Sequence, residues 1–166
     1  MHIDRFQLVD RVAALDLSTA SLTAIACVPS EHSIFSGHFP GHPLMPGVLL
    51  TELMAQTCGF LLLSLNGFLR MPFLAELKEV GFRSFVLPGT ALSCEARREH
   101  DGSGYAVMRA KVLRRGETKP VCDGTVLFRL MAFPDPTLQA HMHDRAREVG
   151  LVLDAEGVRL SLGTRS

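Results

Sequence analysis

Residues 35–47 read Phe-Ser-Gly-His-Phe-Pro-Gly-His-Pro-Leu-Met-Pro-Gly, and an apolar run follows them from Val48 to Leu65. Three prolines and three glycines in the first part predict a tight loop that is largely non-helical. The apolar run has the length of a helix, Pro46 suits a first helical turn because no N–H is needed there, and Asn66-Gly67 supplies a stop. We therefore predict one long helix that is apolar nearly all round and buried on most sides.

Two polar side chains interrupt this stretch. His38 lies in the loop, and Glu52 lies in the second turn of the predicted helix. A carboxylate is rarely buried without a partner or a chemical task. Gln56 follows Glu52 by one helical turn and can hydrogen-bond to it from the same face. The helix is therefore predicted to carry one polar stripe of chemical interest on an apolar surface.

The apolar run also approaches the ~20 residues that a helix needs to cross a bilayer. Glu52 and Gln56 lie inside it, and an acidic side chain at the membrane centre costs about 2.5–3.5 kcal/mol. The rest of the chain alternates as soluble strands do. The first residues, Met-His-Ile-Asp-Arg, lack the basic-then-apolar order of a signal peptide. We expect no membrane span and a cytoplasmic protein.

Composition excludes several classes of function. At 166 residues the chain is long enough for a substantial core, and 17 basic residues balance 17 acidic ones, so no overall field attracts nucleic acid. The cysteines are scattered without a Cys-x-x-Cys pair, and we expect them to be reduced core residues: Cys27, Cys58, Cys94 and Cys122. His38 and His42 are separated by Pro40 and Gly41, so they cannot share a helical face as zinc ligands, and we expect no metal site.

Alternation of apolar and polar residues predicts strands on both sides of the long helix. Two precede it, and four follow it as an antiparallel meander, covering residues 6–17, 22–28, 73–86, 90–99, 105–113 and 122–130. A helix on one face of an antiparallel sheet is an α+β architecture, and so apolar a helix favours a sheet curled around it.

The chain after Pro134 has a different pattern. Apolar residues recur there near helical spacing, which predicts a short amphipathic helix ending at about residue 151. Residues 158–166 show no periodicity, and we expect them to fray. The predicted organisation is a main domain over residues 1–133 and a C-terminal extension over residues 134–166.

Residues 37–49 resemble the corresponding motif of the 3-hydroxyacyl-(acyl carrier protein) dehydratases of the FabZ/FabA type, and Glu52 and Gln56 after them continue the match. Residues 8–12 match that family's opening strand, and Phe82-Arg83 match the segment after its helix. The resemblance covers roughly residues 5–132. It implies the hotdog fold, a curled antiparallel sheet wrapped around one long helix, paired into dimers with active sites at the dimer interface. It also implies a homodimer or a trimer of dimers.

The resemblance implies dehydration of a (3R)-3-hydroxyacyl thioester to a trans-2-enoyl thioester, without a cofactor. His38 would be the base, since a neutral imidazole is available near pH 7. Glu52 would be the acid, a role that requires a bound proton and that burial beside an apolar tunnel favours. The backbone N–H of Gly47, at the positive end of the helix, would stabilise the thioester oxyanion. In the family the histidine and the acid come from different subunits.

The implied partner is an acyl carrier protein in fatty acid synthesis. Arg83 is the family match for a basic contact with this acidic carrier, and Phe39, Val48 and Gln56 would contact substrate. Glu52 replaces the aspartate of the isomerising FabA-type branch, which favours dehydration without double-bond migration. Residues 99–104 and 121–123, with the tail, resemble a specialised alphaproteobacterial branch associated with very-long-chain hydroxy-fatty acids for lipid A.

Two other functions remain open from the sequence. A hotdog acyl thioesterase would hydrolyse the same thioesters, although such enzymes usually lack the His-Phe-Pro-Gly loop. A non-catalytic acyl-binding hotdog protein would not need both His38 and Glu52.

Overall fold

The structure is a computed structural model that describes residues 1–155 and 157–161. A short 3-10 turn over Ile3–Arg5 precedes the regular elements. These are β1 (Arg11–Asp16), β2 (Ser21–Cys27), α1 (Ile34–Gly37), α2 (Gly47–Leu65), β3 (Met71–Phe82), β4 (Ala91–Gly102), β5 (Tyr105–Arg114), β6 (Pro120–Met131), α3 (Pro136–Glu148), β7 (Leu151–Asp154) and β8 (Gly157–Leu160).

Six strands form one antiparallel sheet in the order β1-β2-β4-β5-β6-β3. The predicted sheet is confirmed, but the predicted meander of the last four strands is wrong, because β3 pairs with β6 at the far edge and β4 pairs with β2. The burial of the strands explains this order. Alternate residues of β2 and β4 are buried against α2, whereas most of β3 is exposed and suits an edge.

The long helix α2 is confirmed as the centre of the core. Twelve of its 19 residues are buried. Its two buried hydroxyls bond back to the preceding turn, Thr57 to the Leu53 carbonyl at 2.7 Å and Ser64 to the Phe60 carbonyl at 2.8 Å. Both hydroxyls are thus satisfied within the helix, and the sheet packs against an apolar surface.

The helix also has the length and composition of a membrane span. However, 67% of its most apolar window is buried inside the fold. A mostly buried helix of this kind is typical of the core helix of a soluble protein.

Two predicted strands have different limits in the structure. The first begins only at Arg11, because residues 3–5 form a 3-10 turn and Phe6 takes a left-handed conformation with φ 55°. The third strand ends at Phe82 instead of residue 86, because the Val86 carbonyl accepts a hydrogen bond from the Met45 amide at 2.8 Å and so pairs with the loop before α2.

The C-terminal extension is more ordered than predicted. Its helix α3 is confirmed, although it ends at Glu148 and residue 151 begins β7. The Asp135 carboxylate caps this helix by accepting from the Leu138 amide at 2.8 Å. The expected fraying of residues 158–166 is wrong for residues 158–160, which form β8 and pair with β7, since each strand of this hairpin buries one apolar side chain, Leu151 and Val158. The remainder of that prediction, residues 162–166, lies outside the described residues. Four extension residues join the main core: Ala146, Val149, Leu151 and Val158.

All four cysteines are free, as predicted. Cys58, Cys94 and Cys122 are buried, and burial raises the pKa of the Cys94 thiol to about 12. Cys27 is exposed, contrary to the expectation of a core residue, because it ends β2 on the solvent side.

Candidate active site

The loop that carries His38 is held by its own backbone. Phe39 and His42 exchange two backbone hydrogen bonds, of 3.2 and 2.9 Å, and close a tight turn in which Gly41 has φ 76°. The His38 carbonyl accepts from the Leu44 amide at 2.9 Å. The proline- and glycine-rich sequence therefore forms the predicted tight loop from His38 onward, whereas residues 35–37 belong to α1 and His38 is the C-cap of that helix.

The surroundings of His38 define its tautomer. Its Nδ1 lies 3.2 Å from the Leu44 carbonyl oxygen. Because a carbonyl oxygen can only accept, Nδ1 carries the proton in the neutral ring and Nε2 keeps its lone pair. The Phe39 ring stacks on the imidazole with centroids 4.4 Å apart and is itself 53% exposed. A half-buried neutral imidazole with an available Nε2 has the chemistry of a general base.

The start of α2 lies directly after this loop. No side chain among residues 1–155 and 157–161 caps its N-terminus, so its first N–H groups lack a side-chain acceptor. A Cβ atom at Gly47 would lie 2.9 Å from the Phe82 ring, which packs over the first turn. Val48 is 74% exposed beside it. Glycine at position 47 therefore leaves room for the Phe82 ring to pack against the first turn of α2, at the positive end of the helix dipole.

Glu52 is held by Gln56, as predicted. The Gln56 amide group donates to the Glu52 carboxylate at 2.9 Å and to the Phe6 carbonyl at 2.8 Å. Its oxygen accepts from the Leu8 amide at 2.9 Å. One side chain thus joins α2, the N-terminal segment and the carboxylate, so the position of Glu52 depends on how residues 6–8 pack.

Glu52 lies at the edge of a groove of about 380 Å³. The face of α2 from Glu52 to Leu63 forms its floor, with Ala55 and Gly59 leaving room, and the other walls come from residues 5–7, from the start of β3, from Phe128 and from α3. Most of this lining is apolar. His38 is not among the described residues that line this groove, and none of the described contacts joins it to Glu52.

Arg83 follows β3 and is already paired. Its guanidinium donates through Nε and Nη2 to both oxygens of Asp123, the second at 3.0 Å. This pair of hydrogen bonds raises the pKa of Arg83 and lowers the pKa of Asp123. The Arg83 side chain remains 56% exposed, so one edge of the guanidinium stays accessible to solvent.

Two of these contacts could not be read from sequence. Both depend on the pairing of β3 with β6, in which Phe82 lies opposite Cys122. This pairing brings the Phe82 ring over Gly47 and Asp123 next to Arg83. Asp123 alternates with the apolar residues Cys122, Val126 and Phe128 of the predicted last strand, a pattern that indicates a solvent-facing residue. A single sequence carries no signal for its partner. Within the described residues, no group of three or more His, Cys, Asp or Glu side chains could hold a metal ion.

Known proteins resemble the chain in sequence. A family model described as the FabA-like domain matches residues 2–123. A 3-hydroxyacyl-[acyl-carrier-protein] dehydratase FabZ from Caldicellulosiruptor saccharolyticus is 36% identical over 130 residues, covering 78% of this chain and 91% of the relative. The FabZ of Listeria welshimeri is 35% identical over 134 residues, covering 80% and 91%.

Solved structures resemble it in fold. Conserved protein PA5202 from Pseudomonas aeruginosa superposes with a TM-score of 0.61 at 24% identity, covering 79% of this chain and 94% of that one. A hypothetical thioesterase with coenzyme A from Streptococcus pneumoniae superposes at 0.58 and 14% identity, covering 75% and 90%. At these identities the likeness shows the hotdog fold alone. Since the FabA-like model and the FabZ relatives both span most of the sequence, the chain belongs to the FabA-like family, as the FabZ-type dehydratases do.

Proposed function

We propose that this protein is a 3-hydroxyacyl-[acyl-carrier-protein] dehydratase of fatty acid synthesis, with His38 as base and Glu52 as acid. The observation that carries the proposal is the carboxyl of Glu52, oriented by Gln56 at the edge of an apolar groove that can receive an acyl chain. The dehydratase names of relatives at about 35% identity support the reaction class.

The reaction needs one proton removed and one delivered. Nε2 of His38 takes a proton from C2, beside the thioester carbonyl, and the electron pair of that C–H bond forms the C2=C3 double bond. The C3–O bond breaks as Glu52 donates its proton to the leaving hydroxyl, which departs as water. His38 ends protonated and Glu52 ends ionised, and proton exchange with solvent restores both.

Negative charge develops on the thioester oxygen as C2 loses its proton. The Gly47 amide is suited to stabilise this charge, because it lies at the N-terminal end of α2, where no side chain of the described residues caps the helix. The exposed side chains of Phe39 and Val48 flank the same region and supply apolar contacts for the substrate. Gln56 acts as a positioning residue through its hydrogen bond to Glu52.

The complete site is proposed to form between two chains of a dimer, or of a trimer of dimers. Within one chain, Glu52 lines the groove and His38 does not, which supports a site that takes its base from the partner. The acyl carrier protein is the proposed partner in the cytoplasm, and Arg83 is its proposed contact, through the guanidinium edge that Asp123 does not occupy.

Two variants test the catalytic pair. We expect His38→Ala and Glu52→Gln each to lower kcat for 3-hydroxyacyl-carrier substrate by at least about 100-fold, the usual contribution of a general acid or base. His42→Ala is the matched control, since His42 belongs to the same loop and its side chain is exposed. Near-normal turnover in either variant would remove that residue from the mechanism, and free thiol in place of enoyl thioester would establish a thioesterase.

A finer assignment is also part of the proposal. The sequence features of residues 99–104 and 121–123, and a tail that continues past the matched residues 2–123, support a role in very-long-chain acyl synthesis for lipid A, with dehydration and no double-bond migration. Turnover of long 3-hydroxyacyl substrates to the trans-2-enoyl product alone is expected. Restriction to short chains, or a cis-3 product, would contradict it.

A further inference from the structure

The C-terminal helix α3 takes part in the groove that Glu52 lines. Three of its residues line that groove: His141, Met142 and Arg145. They lie after residue 123, where the FabA-like match ends. The wall that α3 forms is therefore an addition to the part of the chain that matches the family.

The contacts of α3 show which part of the groove it borders. Gln139 donates to the Phe68 carbonyl at 2.8 Å, and the His143 ring stacks on the Phe68 ring with centroids 4.5 Å apart. Phe68 is fully buried just beyond the C-terminal end of α2. Met142 lies between these two anchor residues in α3, so it borders the end of the groove that is farthest from Glu52.

The chemistry of this end suits an alkyl chain. Leu63, Met71 and Pro72 line it from α2 and β3, and Met142 adds a flexible apolar side chain from α3. Arg145 donates to Glu148 and is only 12% exposed, so its charge is already compensated within α3. An apolar terminal segment, rather than an anionic one, is the ligand that these side chains would bind.

The length of the groove gives a scale for that chain. From Glu52 to Leu63 the helix rises about 16 Å, at about 1.5 Å per residue. An extended backbone advances roughly 1.2 Å per bond, so about 13 bonds fit between the reacting carbons and the far end. The volume of about 380 Å³ falls within the range that small-molecule sites occupy.

We propose that α3 sets the acyl chain length that the enzyme accepts, with Met142 as the residue that closes the far end of the groove. This inference rests on the proposed function of the same site. It assigns the C-terminal extension a role in substrate selection: about 13 bonds of an acyl chain lie along α2, and a longer chain has to displace the flexible Met142 side chain.

Substitutions of Met142 in both directions test the proposal. Met142→Ala opens the far end and should move the maximum of kcat/KM toward longer 3-hydroxyacyl substrates. Met142→Phe should lower kcat/KM about tenfold for the longest substrate that the wild type accepts, the usual effect of one misfitted methylene, and leave short substrates unchanged. Thr137→Phe is the matched control, because it adds the same ring on an exposed position of α3 that does not line the groove. Thermal unfolding verifies that each variant folds.

A binding experiment separates this inference from the proposed function. Calorimetric titration with saturated acyl-pantetheine thioesters, shorter and longer than the groove, reports chain length without turnover. If the two Met142 variants shift the length profile in opposite directions and Thr137→Phe does not, the inference holds whether or not the protein dehydrates its ligand. If turnover is normal and neither Met142 variant shifts either profile, the inference is wrong and the dehydratase function stands.

Discussion

Arg83 illustrates how much a single residue's role depends on its neighbours. From sequence it is a carrier-docking cation, yet in the fold its guanidinium donates to both oxygens of Asp123, 40 positions along the chain. Substitution of Arg83 therefore removes an ion pair as well as a surface charge. Asp123→Asn separates the loss of the ion pair from the loss of the surface charge, because it weakens the pair and leaves the Arg83 cation in place.

We expect Arg83→Gln to raise KM for carrier-bound substrate and to leave turnover of short acyl-pantetheine thioesters unchanged, because only the carrier is acidic. Asp123→Asn should not raise the carrier KM. Added salt should weaken the carrier reaction selectively, since exposed charges are screened beyond ~8–10 Å near physiological ionic strength. Equal losses of activity on both substrates would show that Arg83 supports the fold, and would contradict the docking role.

The same pair has a pH signature in stability. Because its folded pKa is lowered, chiefly by the hydrogen bonds from Arg83, the Asp123 carboxyl stabilises the fold above its ordinary pKa of about 3.9. That contribution is lost as pH falls through the lower folded pKa. Denaturant unfolding should therefore give Arg83→Gln a lower free energy of unfolding than the wild type near neutral pH, and the difference should disappear in acid. A difference that stays constant with pH would indicate lost packing.

At the scale of the elements, the edge strand β3 owes its shape to two irregularities in its pairing with β6. Its register shifts between Leu74 and Glu76 and again between Lys78 and Gly81, where Glu79 has φ 52°. Gly124 of β6 faces the second irregularity, and a Cβ there would lie 2.9 Å from Val80 Cγ2 and 3.1 Å from Val80 Cα. This bulge, together with the strand end at Phe82, determines how the ring of Phe82 reaches Gly47.

We expect Gly124→Ala to lower the free energy of unfolding by about 1–3 kcal/mol, as overpacking does, because the backbone of Val80 cannot move without disturbing the bulge. Gly37→Ala is the matched control, since a Cβ there meets nothing within 4 Å. Chemical denaturation of both variants checks the prediction. An unchanged midpoint for Gly124→Ala would mean that the bulge adjusts without strain.

For the whole molecule, the decisive feature is apolar surface that the single chain leaves exposed. These exposed side chains lie in the loop before α2, in its first turn, on β3 and just after it, each at least 53% exposed: Phe39, Val48, Phe73, Phe82, Phe85 and Leu87. Exposed apolar side chains at an edge strand mark an interaction site. Their exposure agrees with the proposal that two chains complete one site.

Mixing two inactive chains tests that arrangement. A dimer of His38→Ala with Glu52→Gln has one site with both groups intact and one with neither. Random pairing at equal amounts makes half of the dimers mixed, so activity should return to about a quarter of the wild-type value. Mass spectrometry of the mixture verifies that chains exchange, and exchange without recovered activity would place both groups in one chain.

The sequence by itself determined the loop and the long helix, and with them the family. The turn residues of 35–47, the stop at Asn66-Gly67 and the spacing of Glu52 and Gln56 act over a few positions, so their structural consequences are local and readable. The predicted helix opens at Pro46, whereas α2 begins at Gly47 with Pro46 as its N-cap, and both end at Leu65.

Only the tertiary structure decided how distant segments meet. Three features depend on partners far along the chain or on a strand register. They are the position of β3 at the far edge of the sheet, the Arg83–Asp123 pair, and the hairpin β7-β8 with α3 beside the groove. A side-chain pattern shows which face of a segment is buried, but not which other segment covers it. That choice is made by the packing of the whole core around α2, a property of all the elements together.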